Sequence, residues 1–400
     1  MSAQEATLRE RTDASPRPIG ALADPLRLAG IDVWPPVVLA PMAGVTNVPF
    51  RGLCRRHGGG LFVSEMVGAR GLVDGDARSV LKASFAPDEH PRSIQLYATE
   101  PSDTATAVTL LCKGDPAAPR APVDHVDLNF GCPAPKVTRH GGGAALPWRL
   151  DLYASIIEAA VRAAGDVPVT VKLRLGIDER HLTYLEAGRI AADLGVAAVA
   201  LHARTAEERY GPPASWSHIA ALVDAIEVPV LGNGDIWEAG DALRMLRETG
   251  CAGVVVGRGC LGRPWLFREL EAAFSGGDLP EAPRLGEVVD LLIEHAELLT
   301  KHHGTLTGLR EIRKHTGWYL QGFPVGKPLR RALNQVSTLA ELHALLAGVD
   351  RDLPFDEEVR RQPRGHTTRA KRVILPHGWL DSRHHGPAAA PDGSEVISGG

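Results

Sequence analysis

Eight short apolar segments recur along this chain, each giving way at its C-terminal end to polar or glycine-rich residues, and this recurrence limits the fold more than any other feature. They are Val37–Ala40, Leu61–Ser64, Ser93–Tyr97, Val123–Asn129, Val169–Leu173, Ala198–His202, Val230–Asn233 and Gly253–Val256. Alanine- and leucine-rich stretches with helical periodicity lie between most of them, such as Leu152–Ala164, Thr183–Leu194 and Trp216–Ile226. Strand and helix alternating in this way predict parallel βα units, and eight of them suit a closed barrel. An open doubly wound sheet would want Gly-x-Gly-x-x-Gly after the first strand, and none is there. The expected fold class is therefore α/β: a (β/α)8 TIM barrel over residues 31–280, followed by a small all-helical C-terminal domain over 281–350. That second domain rests on Leu285–Leu299, Leu309–Leu320 and Leu329–Leu346, which read as helices with no strands between them. Residues 1–30 read as a flexible leader. The Pro-, Gly-, His- and Arg-rich residues 351–400 read as a disordered tail.

With 44% hydrophobic and 23% charged residues the composition is ordinary for a soluble globular protein. A formal net charge of -4 gives no global attraction to nucleic acid, so any such case must be local. The five cysteines, Cys54, Cys112, Cys132, Cys251 and Cys260, show no Cys-x-x-Cys spacing, which indicates neither a disulfide framework nor a zinc knuckle. A reducing cytoplasm is the natural compartment. The polar N-terminus lacks the apolar core of a signal peptide, and no apolar run is long enough to span a bilayer. His302-His303 and His384-His385 lack partners at zinc spacing, so no metal is expected.

A barrel of this kind gathers its chemistry where strands end. Here those positions hold Pro41-Met42-Ala43, Glu65, Gln95, Asn129 with Cys132, Lys172 with Arg174, His202 with Arg204, Asn233-Gly234-Asp235 and Gly257-Arg258. Polar groups ending buried strands are costly unless a ligand or a hydrogen-bond network uses them. Glycine-bearing loops after the seventh and eighth strands form the usual phosphate site of the fold, and Arg258 would add a charge-assisted contact. Alternation in VPVTVKLRLG turns Lys172 to the opposite side from Val171 and Leu173. Inside a barrel that lysine must meet an anionic or polar ligand, or else a carboxylate such as Asp127 or Glu65. For a flavin, a cation at the N1–C2=O edge stabilises the reduced ring. His202 suits either a core position or a ligand contact. Cys132 lies in NFGCPAPKVTRHGGGAAL, where Lys136, Arg139 and His140 make the loop electropositive. Its thiol could be a nucleophile, a metal ligand or an acid/base group; it lacks companion ligands, and its ordinary pKa of about 8.5 keeps it protonated at neutral pH.

Between Lys301 and Arg331 seven Lys or Arg residues stand against one acid, Glu311. Arg310, Arg313 and Lys314 share a helical face, Trp318 and Tyr319 are interleaved, and Lys327 and Arg330 follow. The pattern fits a phosphate-backbone footprint, with a solvated helix face as the plain alternative. A second basic stretch, Arg360–Arg372, reads as a flexible tail adding nonspecific attraction.

The motifs VVLAPMAGVTNVPFR, SEM, QLY, VDLNFGCPAPKVTRHGGGAAL, VKLRLG, LHART, LGNGDI, VVVGRGCLGRPWLF and REIRKHTGWYLQG, in that order, closely resemble the bacterial tRNA-dihydrouridine synthases over about Val37 to Leu346. The resemblance implies FMN held by Pro41, Met42 and Ala43 against the ring, by Gln95 and Lys172 at its polar edge, and by His202. Asn233, Gly234, Asp235, Gly257 and Arg258 match the phosphate side. It implies NADPH as reductant, hydride from N5 of FMN to C6 of a flipped-out D-loop uracil in tRNA, and a proton from Cys132 to C5. Asn129 and Arg174 become uracil or flavin contacts. Lys136, Arg139, Arg204, Arg310, Arg313, Lys314, Lys327 and Arg330 become tRNA contacts. The sequence departs from the family at Tyr210-Gly211-Pro212-Pro213, where the glycine is shifted, and at His140, where the family often has lysine. Two alternatives share the flavin: an oxidoreductase of a free small molecule such as dihydroorotate, and a noncatalytic RNA-binding flavoprotein.

Overall fold

Two three-residue strands, β1 (Leu26–Leu28) and β2 (Ile31–Val33), pair antiparallel ahead of the barrel in a computed structural model that describes residues 22–114, 121–365 and 369–384. The barrel strands are β3 (Val37–Leu39), β4 (Leu61–Gly68), β5 (Ser93–Tyr97), β6 (His125–Phe130), β7 (Val169–Arg174), β8 (Ala198–His202), β9 (Val230–Asn233) and β10 (Gly253–Val256). All pair in parallel and close as β10-β3-β4-β5-β6-β7-β8-β9. The expected (β/α)8 barrel is therefore observed, with strand ends that follow the apolar segments. Only β4 runs well past its segment, with an irregular register between Val63 and Met66.

Alternation within the strands builds two cores at once. On β6, Val126, Leu128 and Phe130 face the outer helices, where Phe130 meets Tyr153 edge-on at 4.7 Å. His125, Asp127 and Asn129 point into the lumen. The β1–β2 hairpin plugs the bottom: Leu26, Leu28 and Val33 pack with Val38, Leu61, Val63, Ala198, Ala200, Leu231 and Val255. The leader assigned to residues 1–30 thus contributes to the core from Leu26 onward, and its residues 1–21 lie outside the described residues.

The C-terminal region is helical, as expected. Leu285–His303 packs against Thr305–Tyr319 through Leu292, Ala296, Leu299, Ile312 and Tyr319. The third expected helix is two, Lys327–Leu333 and Leu339–Leu346; the break falls where the Thr338 hydroxyl caps the second by accepting from Glu341 N–H. Phe50 from the barrel packs against the adjacent rings of His295 and His315 at 5.7 and 5.9 Å, which seats these helices on the barrel.

The tail differs from its expectation. Phe355 is buried with the helical core. Arg360 binds Glu269, Arg361 binds Asp241, and Arg364, 1% exposed, donates to Trp318 O and Leu261 O. Trp379 is buried against the barrel. A few anchors spaced through a polar segment suffice, because burying one large side chain is worth about 1.5–3 kcal/mol. The expectation for residues 385–400 falls outside the described residues. No helix among the described residues is long and apolar enough to cross a membrane.

Candidate active site

Register places the polar strand ends side by side. Gln95 pairs with Asp127, Asn129 with Lys172, Arg174 with His202, and His202 with Asn233. Inside the lumen Ser93, His125, Thr170, Asp127, Gln95 and Asn129 form one chain of hydrogen bonds. The Ser93 hydroxyl lies 2.7 Å from His125 Nδ1, and His125 Nε2 lies 3.0 Å from Thr170 Oγ1. Thr170 donates to Asp127 Oδ1 at 2.6 Å, and Gln95 Nε2 donates to Asp127 Oδ2 at 2.7 Å. With its amide nitrogen committed to Asp127, Gln95 must accept through Oε1, which it does from Asn129 Nδ2 at 2.7 Å. Asn129 therefore presents Oδ1 to the loop above, where the Gly131 and Cys132 N–H groups donate at 3.2 and 2.9 Å. The orientation of the Cys132 loop is set from the floor of the barrel. Burial raises Asp127 to about 6 and lowers His125 to about 3.

Cations collect on the other side of the same cavity. Lys172 donates to Asn233 Oδ1 at 2.8 Å, and Asn233 is fixed by its own donation to Val255 O. The direct partner of Lys172 is thus Asn233 and not a carboxylate. Glu65 serves elsewhere, accepting from Gly44 N–H and pairing with Lys82. Arg174, 4% exposed, donates to Gly131 O, Thr205 O and Arg209 O, tying the Cys132 loop to the loop after β8. Arg204 donates to both Asp235 oxygens at 2.7 Å, and Arg258 lies 3.6 Å from the same carboxylate. Asp235 reaches them from the left-handed region at φ 56°, after Gly234 at φ 133°, where a Cβ would stand 2.6 Å from Ala214. Burial first, then its neighbouring cations, holds His202 well below its ordinary value. Burial likewise lowers Lys172 to about 8 and Arg258 to about 10.

Gln95, Asn129, Lys172, Arg174, His202, Arg204, Asn233, Gly234, Asp235 and Arg258 line one cavity of about 610 Å³ together with Pro41, Met42, Ala43, Gly257 and Cys132. Cys132 sits at its edge. Burial pushes the thiol above its ordinary value, against the smaller pull of the Ala134 amide and of Arg174 and Lys136. At neutral pH it is a thiol, not a thiolate.

Residues 38–352 match the family described as dihydrouridine synthase (Dus). This chain belongs to the dihydrouridine synthase family. It is 51% identical over 385 residues to a Mycobacterium tuberculosis (strain CDC 1551 / Oshkosh) protein named probable tRNA-dihydrouridine synthase, a match covering 94% of this chain and 97% of that one. It is 40% identical over 317 residues to tRNA-dihydrouridine synthase B of Xanthomonas campestris pv. campestris, covering 78% of this chain and 92% of that one. The chain is therefore an oxidoreductase of the tRNA-dihydrouridine synthase kind, with tRNA as its substrate.

In this synthase the residues expected to touch tRNA fall into three sets. Lys136, Arg204 and Lys314 line the cavity, Lys136 and Lys314 being exposed there and Lys314 also paired with Glu311. Arg139, Arg310 and Lys327 are exposed away from it. Arg313 instead donates to Val336 O and Gln335 O, and Arg330 to Leu320 O, Phe323 O and Val325 O. Both guanidiniums satisfy backbone carbonyls between helices, so much of their charge is spent on folding. Trp318, Tyr210, Met66, Trp237 and Arg209 also line the cavity and were not among the expected site residues. Trp318 was legible in principle, since it lies four residues after Lys314 on one helix. Tyr210, in the loop where the sequence departs from the family, lies beneath Arg174 and Arg258, at 5.5 and 4.6 Å. No group of three or more His, Cys, Asp or Glu among the described residues could hold a metal ion.

Proposed function

We propose that this synthase binds FMN in the cavity, is driven by NADPH, and reduces the C5=C6 bond of a D-loop uridine in tRNA, with Cys132 as the proton donor. The observation that carries the proposal is an imbalance of charge. Seven Lys or Arg side chains line the cavity (Lys136, Lys172, Arg174, Arg204, Arg209, Arg258 and Lys314), against one carboxylate among the described residues, Asp235. Lys172 and Arg258 hold their protons there against burial, which is favourable once an anion shares the space.

The residues present fit FMN. Pro41, Met42 and Ala43 offer an apolar surface to a ring, Gln95 and Lys172 a polar edge, and Asn233, Gly234, Asp235, Gly257 and Arg258 a phosphate cradle, with His202 between. Held by those residues and reduced by NADPH, FMN would supply the hydride for C6 of the uracil. Cys132 gives its proton to C5 as the π bond is lost, and the thiolate takes a proton back from solvent. Asn129 and Arg174 both hold the peptide that leads into Cys132, Asn129 accepting from its N–H and Arg174 donating to its carbonyl, which restricts where the donor can sit. A base in folded RNA must be unstacked to reach such a cavity, and Lys136, Lys314 and Trp318 stand at the rim to hold it. Arg139, Arg310 and Lys327 extend a phosphate footprint outward. The compartment that supplies this substrate is the cytoplasm. Nothing in the site favours a free dihydroorotate-like metabolite or a noncatalytic role.

The test starts with the purified protein, which should be yellow and release FMN on denaturation. With NADPH and unmodified tRNA it should form dihydrouridine. A colourless protein that FMN cannot reconstitute would overturn the cofactor assignment.

A further inference from the structure

We propose that the C-terminal segment 369–384 is a clamp on the Cys132 loop, and that Trp379 is a positioning residue for proton transfer. This rests on Cys132 acting as the proton donor. The segment lies beyond the family match, which ends at residue 352. It nevertheless reaches back across the barrel to the loop that carries Cys132.

The connection is traced in a few contacts. Lys371 N–H donates to Glu207 O, in the loop after β8 whose residues Arg209 and Tyr210 line the cavity. Further on, the Trp379 indole N–H donates to Ala145 O at 2.9 Å in a buried bond. The indole ring fills the space above Gly141, where a Cβ would stand 2.3 Å from it. Arg149 lies over that ring at 4.9 Å and donates to Gly378 O, and Leu150 N–H donates to Arg383 O. Arg383 lies over Trp148 at 4.7 Å and pairs with Glu186. The clamped stretch 141–145 is the same one that holds Cys132. Ala144 N–H donates to Cys132 O at 3.1 Å, and a Cβ on Gly143 would stand 2.5 Å from that oxygen. Gly141 and Gly143 both adopt positive φ, at 76° and 57°, a conformation that side chains would strain, and neither has room for a Cβ against Trp379 or Cys132 O. Asn129 fixes the Cys132 amide from below, and Trp379 fixes its carbonyl side from outside.

A donor held at both ends loses rate when one support goes, since a displacement of about 1 Å can cost about 100-fold. Trp379→Ala should lower kcat for dihydrouridine formation at saturating tRNA by about 10- to 100-fold. The dissociation constant for tRNA and the flavin content should stay unchanged. In the tRNA-free protein, Cys132 alkylation by iodoacetamide, mapped by mass spectrometry, should become several-fold faster. Trp379→Phe keeps an aromatic ring, smaller and without the N–H donor, and should fall between the two, which keeps the test open if the alanine variant folds poorly. Unchanged kcat and alkylation in either folded variant would overturn the proposal. So would weakened tRNA binding with kcat retained, which would make the segment an RNA contact. Cys132→Ala, run beside them, separates the two levels. If it keeps the wild-type rate, the reading of Cys132 itself fails; if it is dead while Trp379→Ala is fully active, only the clamp fails.

Discussion

The lumen of this barrel is lined by unlike halves. On β8, β9, β10, β3 and β4 it is filled by Ala198, Ala200, Leu231, Val255, Val38, Leu61 and Val63. Across β5, β6 and β7 it carries Ser93, Gln95, His125, Asp127, Asn129, Thr170 and Lys172, six of them 9% exposed or less and Lys172 only partly exposed. The apolar half needs only volume and tolerates exchange of one aliphatic shape for another. The polar half must satisfy each donor and acceptor, so each side chain has one useful orientation. That constraint is carried upward as geometry, from Ser93 and His125 to Asn129 and the Cys132 amide. Strands of one sheet thus serve two ends, cohesion in one half and positioning in the other.

The comparison can be broken most severely by putting a charge in the apolar half. Val38→Asp should cost about 3–5 kcal/mol, because Val38 is buried among the apolar side chains of this half and lies outside the cation-lined cavity. Loss of folded protein, or a large fall in denaturant midpoint, would show it; a neutral outcome would mean the two halves are not distinct. Next comes removal of the hub of the polar half. Asp127→Ala strands the Thr170 hydroxyl and the Gln95 amide and should cost about 2–3 kcal/mol, while Asp127→Asn, which keeps an acceptor, should cost less. Turnover should fall in the alanine variant even where folding is retained, by about 10-fold, since Gln95 no longer orients Asn129. Equal stability and turnover in wild type and Asp127→Ala would remove the relay from the account.

The smallest effect concerns pH. Buried His125 and His295 are both lowered to about 3 by desolvation, so between pH 3 and the ordinary value of about 6.5 the unfolded chain binds protons that the folded chain does not. Their contribution is full above about pH 6.5 and is lost as the pH falls toward the folded values. Asp127, raised to about 6, acts in the opposite sense: it favours the folded state below about pH 4, and that preference is lost as pH rises through 6. Two histidines outweigh one carboxyl. Denaturant midpoints should therefore decline from pH 7 to pH 5. His125→Gln should flatten the profile, and an unchanged slope would contradict the assignment.

Much of this was legible because β-strands expose their logic at their ends. An apolar run that stops at Asn129, Lys172 or His202 announces both a strand and a site, and all three line one cavity. The helical region was equally readable from its period. What escaped was long-range. Arg313 and Arg330 read as a cationic face, yet their guanidiniums serve carbonyls that only the folded chain brings near. The residues after 350 read as disordered from composition, but Phe355, Arg364 and Trp379 dock on partners more than thirty positions away in sequence. Composition averages such anchors away. Leu26 and Leu28 were lost in the leader for the same reason, since their packing partners are barrel strands. The hydrogen-bond chain through His125 and Asp127 showed only as alternation, because its direction depends on which strands are neighbours.

The central claim is that the polar half of the lumen and the loop above it hold Cys132 as the proton donor. The most direct test is the rate of dihydrouridine formation by Cys132→Ala at saturating NADPH and tRNA, with bound flavin measured in the same sample. General acid catalysis of this kind is worth about 100- to 10,000-fold. The account predicts a loss of that size with flavin content and tRNA affinity intact. A variant that keeps its flavin and makes dihydrouridine at the wild-type rate would contradict it.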